Sequence, residues 1–541
     1  MAENISRFEL EARLHFLENN AKHMATELAK TKELNKELQV ELDRIKELYK
    51  LAVDRLFGKK SEKIIIVPEE EQLCLFAKTQ NETVKEPSKK LVKEHYRAAR
   101  RTREQLYGDL PTEEKYYDLT DEEKICTRCG SKMHEFGYDC HTEITYTPAV
   151  FNVLKIYKQK CVCRCCEEHI DENGEETPII VTAKGPSALI KGSMISPSLA
   201  AYEINSKICL RLPLYCIEQE YARNGIKRSR QTMCNNMIFL AGMMEPMYQL
   251  MHKELKQLEI IHADETPWQV NHIAGKDGAV RGYFWVYCSG KYEKKQIVLY
   301  DYENGRAGIY PQKFLDGFKG YVHCDGLEQY STVLNLIRVG CLAHLKRYFL
   351  NAVKVQYDKN DFTTVAGQGF LMINEIFHTE GRDPDNPHTK SNYTLEEIAK
   401  IRKEISSKKL KNFFEWCTEK NEEYFPSEKT REAIRYALNQ KEALSRFLDD
   451  PRLELTNNAA ERAVRPVAVG RKNWLFSDSE RGAKALSVLF SIVETAKANS
   501  LKPYEYLKWI FEIMRSGIRF SFEDFLPWNK KIPEFVRMQG E

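Results

Sequence analysis

The chain has 541 residues, 42% of them apolar, which is enough for roughly three to five domains with cores of their own. A net charge of +3 is too small to imply an acidic partner by itself, so any nucleic-acid surface must come from local clusters. No apolar leader segment and no apolar run of membrane-spanning length stands out, so the expectation is a soluble, cytoplasmic protein. Fifteen cysteines, an odd number, argue against a disulfide framework there and for some metal ligands among them.

Residues 1–57 read as one long helix. Leu10, Leu14, Leu17, Met24, Leu28, Leu38, Leu42, Ile45 and Leu56 fit a continuous 3–4 alternation, a heptad seam with Lys and Glu on the other faces. The expectation is a coiled coil that makes a homo-oligomer; a long helix packed on its own protein would give the same pattern. Gly58 is a helix stop. Residues 58–118 are a polar, basic linker. Its run of Lys89, Lys90, Lys93, Arg97, Arg100, Arg101 and Arg103 is either a solvated tether or a contact for DNA phosphates.

Residues 119–172 carry two Cys-x-x-Cys pairs, Cys126 with Cys129 and Cys163 with Cys166, separated by a hairpin-sized segment. Four thiolates in that spacing predict a closed, structural Zn²⁺ site. Cys161 and Cys165 are surplus, and either could replace one of the four. Residues 173–256 read as helical. Ser196-Pro197 opens a helix, and a helix ending near Asn224-Gly225 is followed by a second one capped by Ser229. This is a helix-turn-helix-like pattern that would offer Arg228, Arg230 and Gln231 to a DNA groove; an ordinary helical hairpin would look alike.

From Leu258 the pattern changes to strands. Ile260–Asp264, Gly282–Cys288 and Gln296–Tyr300 are rich in β-branched and aromatic residues; a short helix over Ile309–Phe318 and a strand over Tyr321–Asp325 follow. Two strands therefore end in an acid, Asp264 and Asp325. Three strands, a helix and a further strand are the order of a ribonuclease-H-like core, whose central strands would bring the two aspartates together. Cys341-x-x-His344 has a metal-like spacing, but a lone pair reads better as a packed strand-to-helix junction, with His344 near substrate phosphate or a reacting water. The core's first part spans 257–350, an all-α insertion 351–450, its second part 451–515 and a tail 516–541. The second part holds Asn457-Asn458-Ala-Ala-Glu461-Arg462, a helix start with a third acid inside it. Arg462, Arg465, Arg471 and Lys472 supply cations suited to phosphates, and Trp474 an aromatic beside them.

Three carboxylates from three separate elements are what a pair of Mg²⁺ or Mn²⁺ ions needs for phosphoryl transfer. The chain resembles the large transposase subunit of the insertion-sequence-66 family of DDE transposases. The matching stretches are Leu56–Lys63, the two cysteine pairs, Leu212-Pro-Leu-Tyr215, His262-Ala-Asp-Glu-Thr-Pro267, Cys324-Asp-Gly326, Gly340-Cys-Leu-Ala-His344, Asn457–Pro466 and Gly470–Phe476. The resemblance implies Asp264, Asp325 and Glu461 as catalytic residues holding two Mg²⁺ ions, on a ribonuclease-H-like fold with a helical insertion. It also implies an oligomerising coiled coil, a zinc module for binding element ends, nucleoid DNA as the site of action and small accessory transposition proteins as partners. Thr127 stands where the family usually has Pro, and Cys161 and Cys165 are additional; both bear on the zinc ligands and not on the acids. A nuclease that cuts without joining, and a silent DNA-binding regulator, share most of these features.

Overall fold

The computed structural model describes residues 24–26, 30, 32, 151–162, 180–182, 185–326, 328–333, 335–356, 361–382, 393–423 and 427–538. The chain divides into two units, Ile65–Tyr157 and the remainder, Met1–Ile64 with Lys158–Glu541; every element named here belongs to the second. Most of the expected coiled coil, the basic linker and most of the zinc module, including all four chosen cysteines, lie outside the described residues. A two-stranded antiparallel ribbon, β1 (Lys160–Val162) and β2 (Ile180–Thr182), falls around the second cysteine pair.

Three helices follow, α1 (Pro197–Ile208), α2 (Leu214–Arg223) and α3 (Arg230–Leu255). The starts of α1 and α3 are as the sequence predicts: Ser196 and Ser229 each accept a backbone N–H with the side-chain hydroxyl. Their placement differs from the separate domain expected. Ile204 of α1 and Met237, Leu240 and Met244 of α3 sit in one core with Trp285, Tyr300, Phe490 and Ile492. The apolar stripe on α3 runs its whole length and needs a sheet-sized partner.

The sheet is built from β3 (Ile260–His272), β4 (Val280–Ser289), β5 (Val298–Glu303), β6 (Gly320–His323) and β7 (Leu336–Val339), with α4 (Ile309–Phe314) between β5 and β6. The strand order is β5-β4-β3-β6-β7. β4 runs antiparallel to β3 and β5, whereas β3, β6 and β7 are mutually parallel. β3 continues eight residues past Asp264, so this acid is mid-strand and not terminal as expected. β6 pairs with β3 only as far as His262↔His323. Further along, β3 is joined by β8 (Phe476–Ser479), beginning at Gln269↔Phe476. A gap in pairing is thus left on that side of β3, and Asp264 lies in it.

The β5 edge is closed by α12 (Glu480–Ala498), the long apolar helix read from the sequence. Ser491 accepts from Tyr300 N at 2.8 Å, Thr495 both accepts from Val298 N and donates to Val298 O, and Asn499 donates to Gln296 O. Side-chain hydroxyls thereby satisfy an edge that would otherwise invite another strand. Helix α13 (Pro503–Ser516) follows, and the tail after it, irregular apart from two short 3-10 turns, buries Phe525, Leu526, Ile532 and Val536 in the same core.

A second core is helical, formed by α5 (Leu342–Lys354), α6 (Val365–Thr379), α8 (Ser407–Asn421), α9 (Glu428–Asn439) and α10 (Lys441–Ser445) around Phe349, Ile373, Phe413 and Ile434, with the short α7 (Leu395–Ile401) preceding α8 in the chain. Apart from α5, these helices fall in the stretch 351–450 read as an all-α insertion, and Thr394 with Glu397 makes a capping box at α7. Arg402, on a π-helical turn between α7 and α8, is buried. It donates to both oxygens of buried Glu380 and to the carbonyls of Asp450 and Leu453. A buried charge fully paired in this way fixes the insertion to the segment that leads into α11 (Asn458–Trp474), the helix of the third acid.

Candidate active site

Three elements deliver the acids. Asp264 stands on β3 beyond the end of β6; Asp325 follows β6 directly; Glu461 lies in the first turn of α11. His262 and His323 are register partners on β3 and β6 and stack at 5.0 Å with planes 4° apart. Each lies two residues before its aspartate. Side chains two apart on a strand share a face, so Asp264 follows the face of His262, while Asp325 comes two residues past the end of β6. Gly326 is required beside Asp325 because a Cβ there would meet the Tyr436 ring of α9 at 2.7 Å.

The third acid is placed by Asn457. This residue stands at the N-cap of α11, where the sequence suggests a capping side chain, yet its side chain makes no cap bond. The carboxamide is instead drawn into β3. Its Nδ2 donates to Ala263 O at 2.8 Å, and its Oδ1 lies 3.0 Å from His262 Nδ1. With Nδ2 donating, Oδ1 accepts, which assigns the His262 proton to Nδ1. Burial holds His262 below its ordinary value, so it is neutral at pH 7 and its 3.5 Å approach to Glu454 is not a charge pair there. At the other end of α11, Arg471 donates to Pro267 O and to Thr266 Oγ1. Both ends of the helix are thus tied to the strand that carries Asp264.

The acids act on one another electrostatically. Burial, then Glu265, and then Asp325 and Glu461 push the Asp264 carboxyl up to about 8, against an opposing N–H from Glu265 that Oδ1 accepts at 2.8 Å. Burial and Asp325 likewise push Glu265 up to about 6, opposed by Arg306, whose guanidinium donates to Oε1. The sequence reading gave neither Glu265 nor Arg306 a role, and no single-sequence pattern separates this pair from surface charges. Beside Glu461 stand His344, with Nδ1 3.8 Å from Oε1, and Arg347 at 4.0 Å. The ion partners of Glu461 thus come from α5, not from Arg465 one turn along its own helix. Cys341, His344 and Glu461 bring one ligand atom each within 4.8 Å of one another, so the Cys-x-x-His junction acquires a third donor from a distant helix.

The expected DNA-contacting residues divide into two groups. Arg230, Gln231, Arg462, Arg465 and Lys472 are exposed. Arg228 is turned inward: its guanidinium grips Glu203, 1% exposed, whose Oε1 also accepts from Tyr221. This departs from the groove contact expected of Arg228, because an unpaired buried glutamate beneath it would be more costly than the loss of one surface cation. Arg471 is likewise committed to the β3 backbone. Cys126, Cys129, Cys163 and Cys166 lie outside the described residues. Seven of the described cysteines, Cys341 among them, are free thiols. Among the described residues no helix is long and apolar enough to cross a membrane.

Residues 192–485 match the family described as Transposase IS66 family. Residues 491–528 match the IS66 C-terminal element, and residues 44–114 match Transposase C of IS166 homeodomain. Two similar proteins of Sinorhizobium fredii are each 27% identical. The uncharacterized protein y4qI aligns over 94% of this chain and 92% of its own length, and the uncharacterized protein y4hP over 75% and 73%. No solved structure matches the chain.

Proposed function

Since the chain belongs to the IS66 family of transposases, we propose that it cleaves DNA at the ends of an insertion sequence and joins the freed 3′-hydroxyl to target DNA, with Asp264, Asp325 and Glu461 as the catalytic set. The mixed sheet, with an antiparallel β5-β4-β3 meander continued by parallel β6 and β7, is read as a ribonuclease-H-like core. The observation that carries the proposal is Asp264 standing in the pairing gap of β3, beside the end of β6 that leads to Asp325, with the start of α11 and hence Glu461 tied to β3 through Asn457; burial, Glu265, Asp325 and Glu461 together push the Asp264 carboxyl up. Buried acids that act on one another resist ionising together. The donors are all carboxylate oxygens, which suits hard Mg²⁺ or Mn²⁺ and not a thiolate-seeking metal. A pair of such ions would activate the attacking water and stabilise the leaving oxygen.

The chain's own residues do the positioning. Strand β3 and the Glu265 N–H fix Asp264, Asn457 sets the start of α11 and hence Glu461, and Arg306 restrains Glu265. His344 and Arg347, flanking Glu461, are placed to meet non-bridging phosphate oxygens. Exposed Arg462, Arg465 and Lys472 on α11 follow the DNA backbone, with Arg230 and Gln231 at the start of α3 on a second contact. The homeodomain match at residues 44–114 supports recognition of element ends by the N-terminal part. Zinc held by Cys126, Cys129, Cys163 and Cys166, homo-oligomerisation through the heptad seam and help from accessory proteins complete the proposal. Asp264→Asn is expected to abolish cleavage of element-end DNA while DNA binding in gel shifts persists; cleavage at the wild-type rate would overturn the assignment. A strand-joining assay on pre-cut ends separates a transposase from a nuclease.

A further inference from the structure

Cys341, His344 and Glu461 meet where the proposed pair of hard ions takes only the glutamate as a ligand. A sulfur, an imidazole nitrogen and a carboxylate oxygen, all within 4.8 Å of one another, come from the N-cap and first turn of α5 and from the first turn of α11. Donors bound at zinc distances in a tetrahedral shell lie roughly 3.3–3.8 Å apart. His344 Nδ1 and Glu461 Oε1 are already at 3.8 Å. Closure on an ion therefore needs movement on the order of 1 Å, within reach of side-chain rotation.

Two further observations point to a ligand. Three peptide N–H groups, those of Asn457 at 3.2 Å, Ala343 and His344, are directed at the Cys341 sulfur, which also sits at the positive end of α5. Burial outweighs these N–H groups and pushes the Cys341 thiol up to about 11, so the sulfur keeps its proton until a metal displaces it, and the N–H groups then support the bound sulfur. Separately, Glu461 Oε1 is buried and accepts no hydrogen bond. Packing alone explains a buried cysteine at a strand-to-helix junction, but not its convergence with a carboxylate oxygen left in this state.

We propose that Cys341, His344 and Glu461 form a site for a soft or borderline divalent cation of the Zn²⁺ class, and that filling it withdraws Glu461 from the hard-ion site. The second half of this proposal rests on the reading of Glu461 as catalytic. A thiolate donor discriminates against Mg²⁺ and Mn²⁺ and toward Zn²⁺ or Co²⁺. As the metal–sulfur bond forms, the thiol proton passes to solvent. Three protein ligands leave a fourth position open to water or a phosphate oxygen. One carboxylate shared between two sites with different metal preferences makes their occupancy mutually exclusive, so zinc acts as a brake.

The test uses the full chain, stripped of metal and titrated with Co²⁺ as the probe. Thiolate-to-cobalt absorption in the near ultraviolet and tetrahedral visible bands report sulfur ligation. Because other cysteines of the chain also take Co²⁺, the readout is a difference: wild type should bind one equivalent more than Cys341→Ser, which retains an acceptor for the three N–H groups. His344→Ala, altered at a partly exposed position, provides the same comparison if the serine variant fails to fold. Superimposable spectra and equal equivalents in all three proteins overturn the site. In Mg²⁺-supported cleavage, micromolar Zn²⁺ should lower the wild-type rate at least tenfold and Cys341→Ser by less than twofold, each relative to its own zinc-free rate. Equal inhibition of both overturns the brake. Absence of cleavage in every protein counts against the proposed function, whereas the cobalt spectra still decide the site.

Discussion

Replacing Asn457 with alanine isolates the contact that sets the third acid. Asn457 is 1% exposed, and its carboxamide bonds Ala263 O and His262 Nδ1, both in the interior. Truncation leaves a carbonyl and an imidazole N–H buried without partners. Each such orphan costs about 1–3 kcal/mol, so a total of about 3 kcal/mol is expected after partial relief by water. With an unfolding entropy of about 2.1 cal/mol/K per residue, a cooperative unit of roughly 350 residues carries about 0.7 kcal/mol/K, and the melting temperature should fall by about 4 °C. The larger consequence is local. Once α11 is no longer tied to β3 at its start, Glu461 drifts from Asp264, and cleavage should fall at least a hundredfold at a temperature where the variant remains folded. Differential scanning calorimetry and a cleavage assay at 20 °C measure the two effects. A variant that melts within 1 °C of wild type and cleaves normally would refute the claim that this amide positions the acid.

Two further outcomes follow from the charges. The folded Asp264 carboxyl at about 8 lies far above an unfolded aspartate near ~3.9, so the folded state holds a proton that the unfolded chain has released; stability of the metal-free protein should fall as pH rises from about 4 to about 8 and then level off. Glu265, at about 6, adds a contribution of the same sign over a narrower window. Calorimetry across pH 5–8.5 without divalent ions should show this slope flattened in Asp264→Asn, and Mg²⁺ should raise the melting temperature more at pH 8 than at pH 6; an unchanged slope in the variant refutes it. Arg228→Ala should destabilise by about 3–5 kcal/mol because it strands buried Glu203, whereas Arg230→Ala should leave melting unchanged, weaken DNA binding and reduce its salt slope by about one. Melting curves and salt-dependent gel shifts read both, and a stable Arg228→Ala or a fully binding Arg230→Ala would each reverse its assignment.

Local signals were legible in the chain wherever they depended on neighbours in sequence. Ser196 and Ser229 cap helices because a hydroxyl before an apolar-periodic segment meets free N–H groups three residues on. The apolar residues of α12 announced a buried helix, and the position of Asp325 just after a short strand followed from β-branched composition and turn residues. The three acids were identifiable by the elements that carry them. What the sequence could not determine was which polar group answers which. Asn457 reads locally as a cap, but Ala263 O and His262, nearly two hundred residues earlier in the chain, compete for its amide and win, since buried donors and acceptors cannot be left unpaired. Arg228 and Arg471 read as surface cations until Glu203 and the β3 backbone claim them. Glu265 with Arg306, and Cys341 with Glu461, meet only because the sheet order and the helical insertion bring distant segments together. Element type is set by periodicity and capping within a few residues, so one chain suffices to read it; site geometry is set by long-range burial and charge, so only the folded chain decides it.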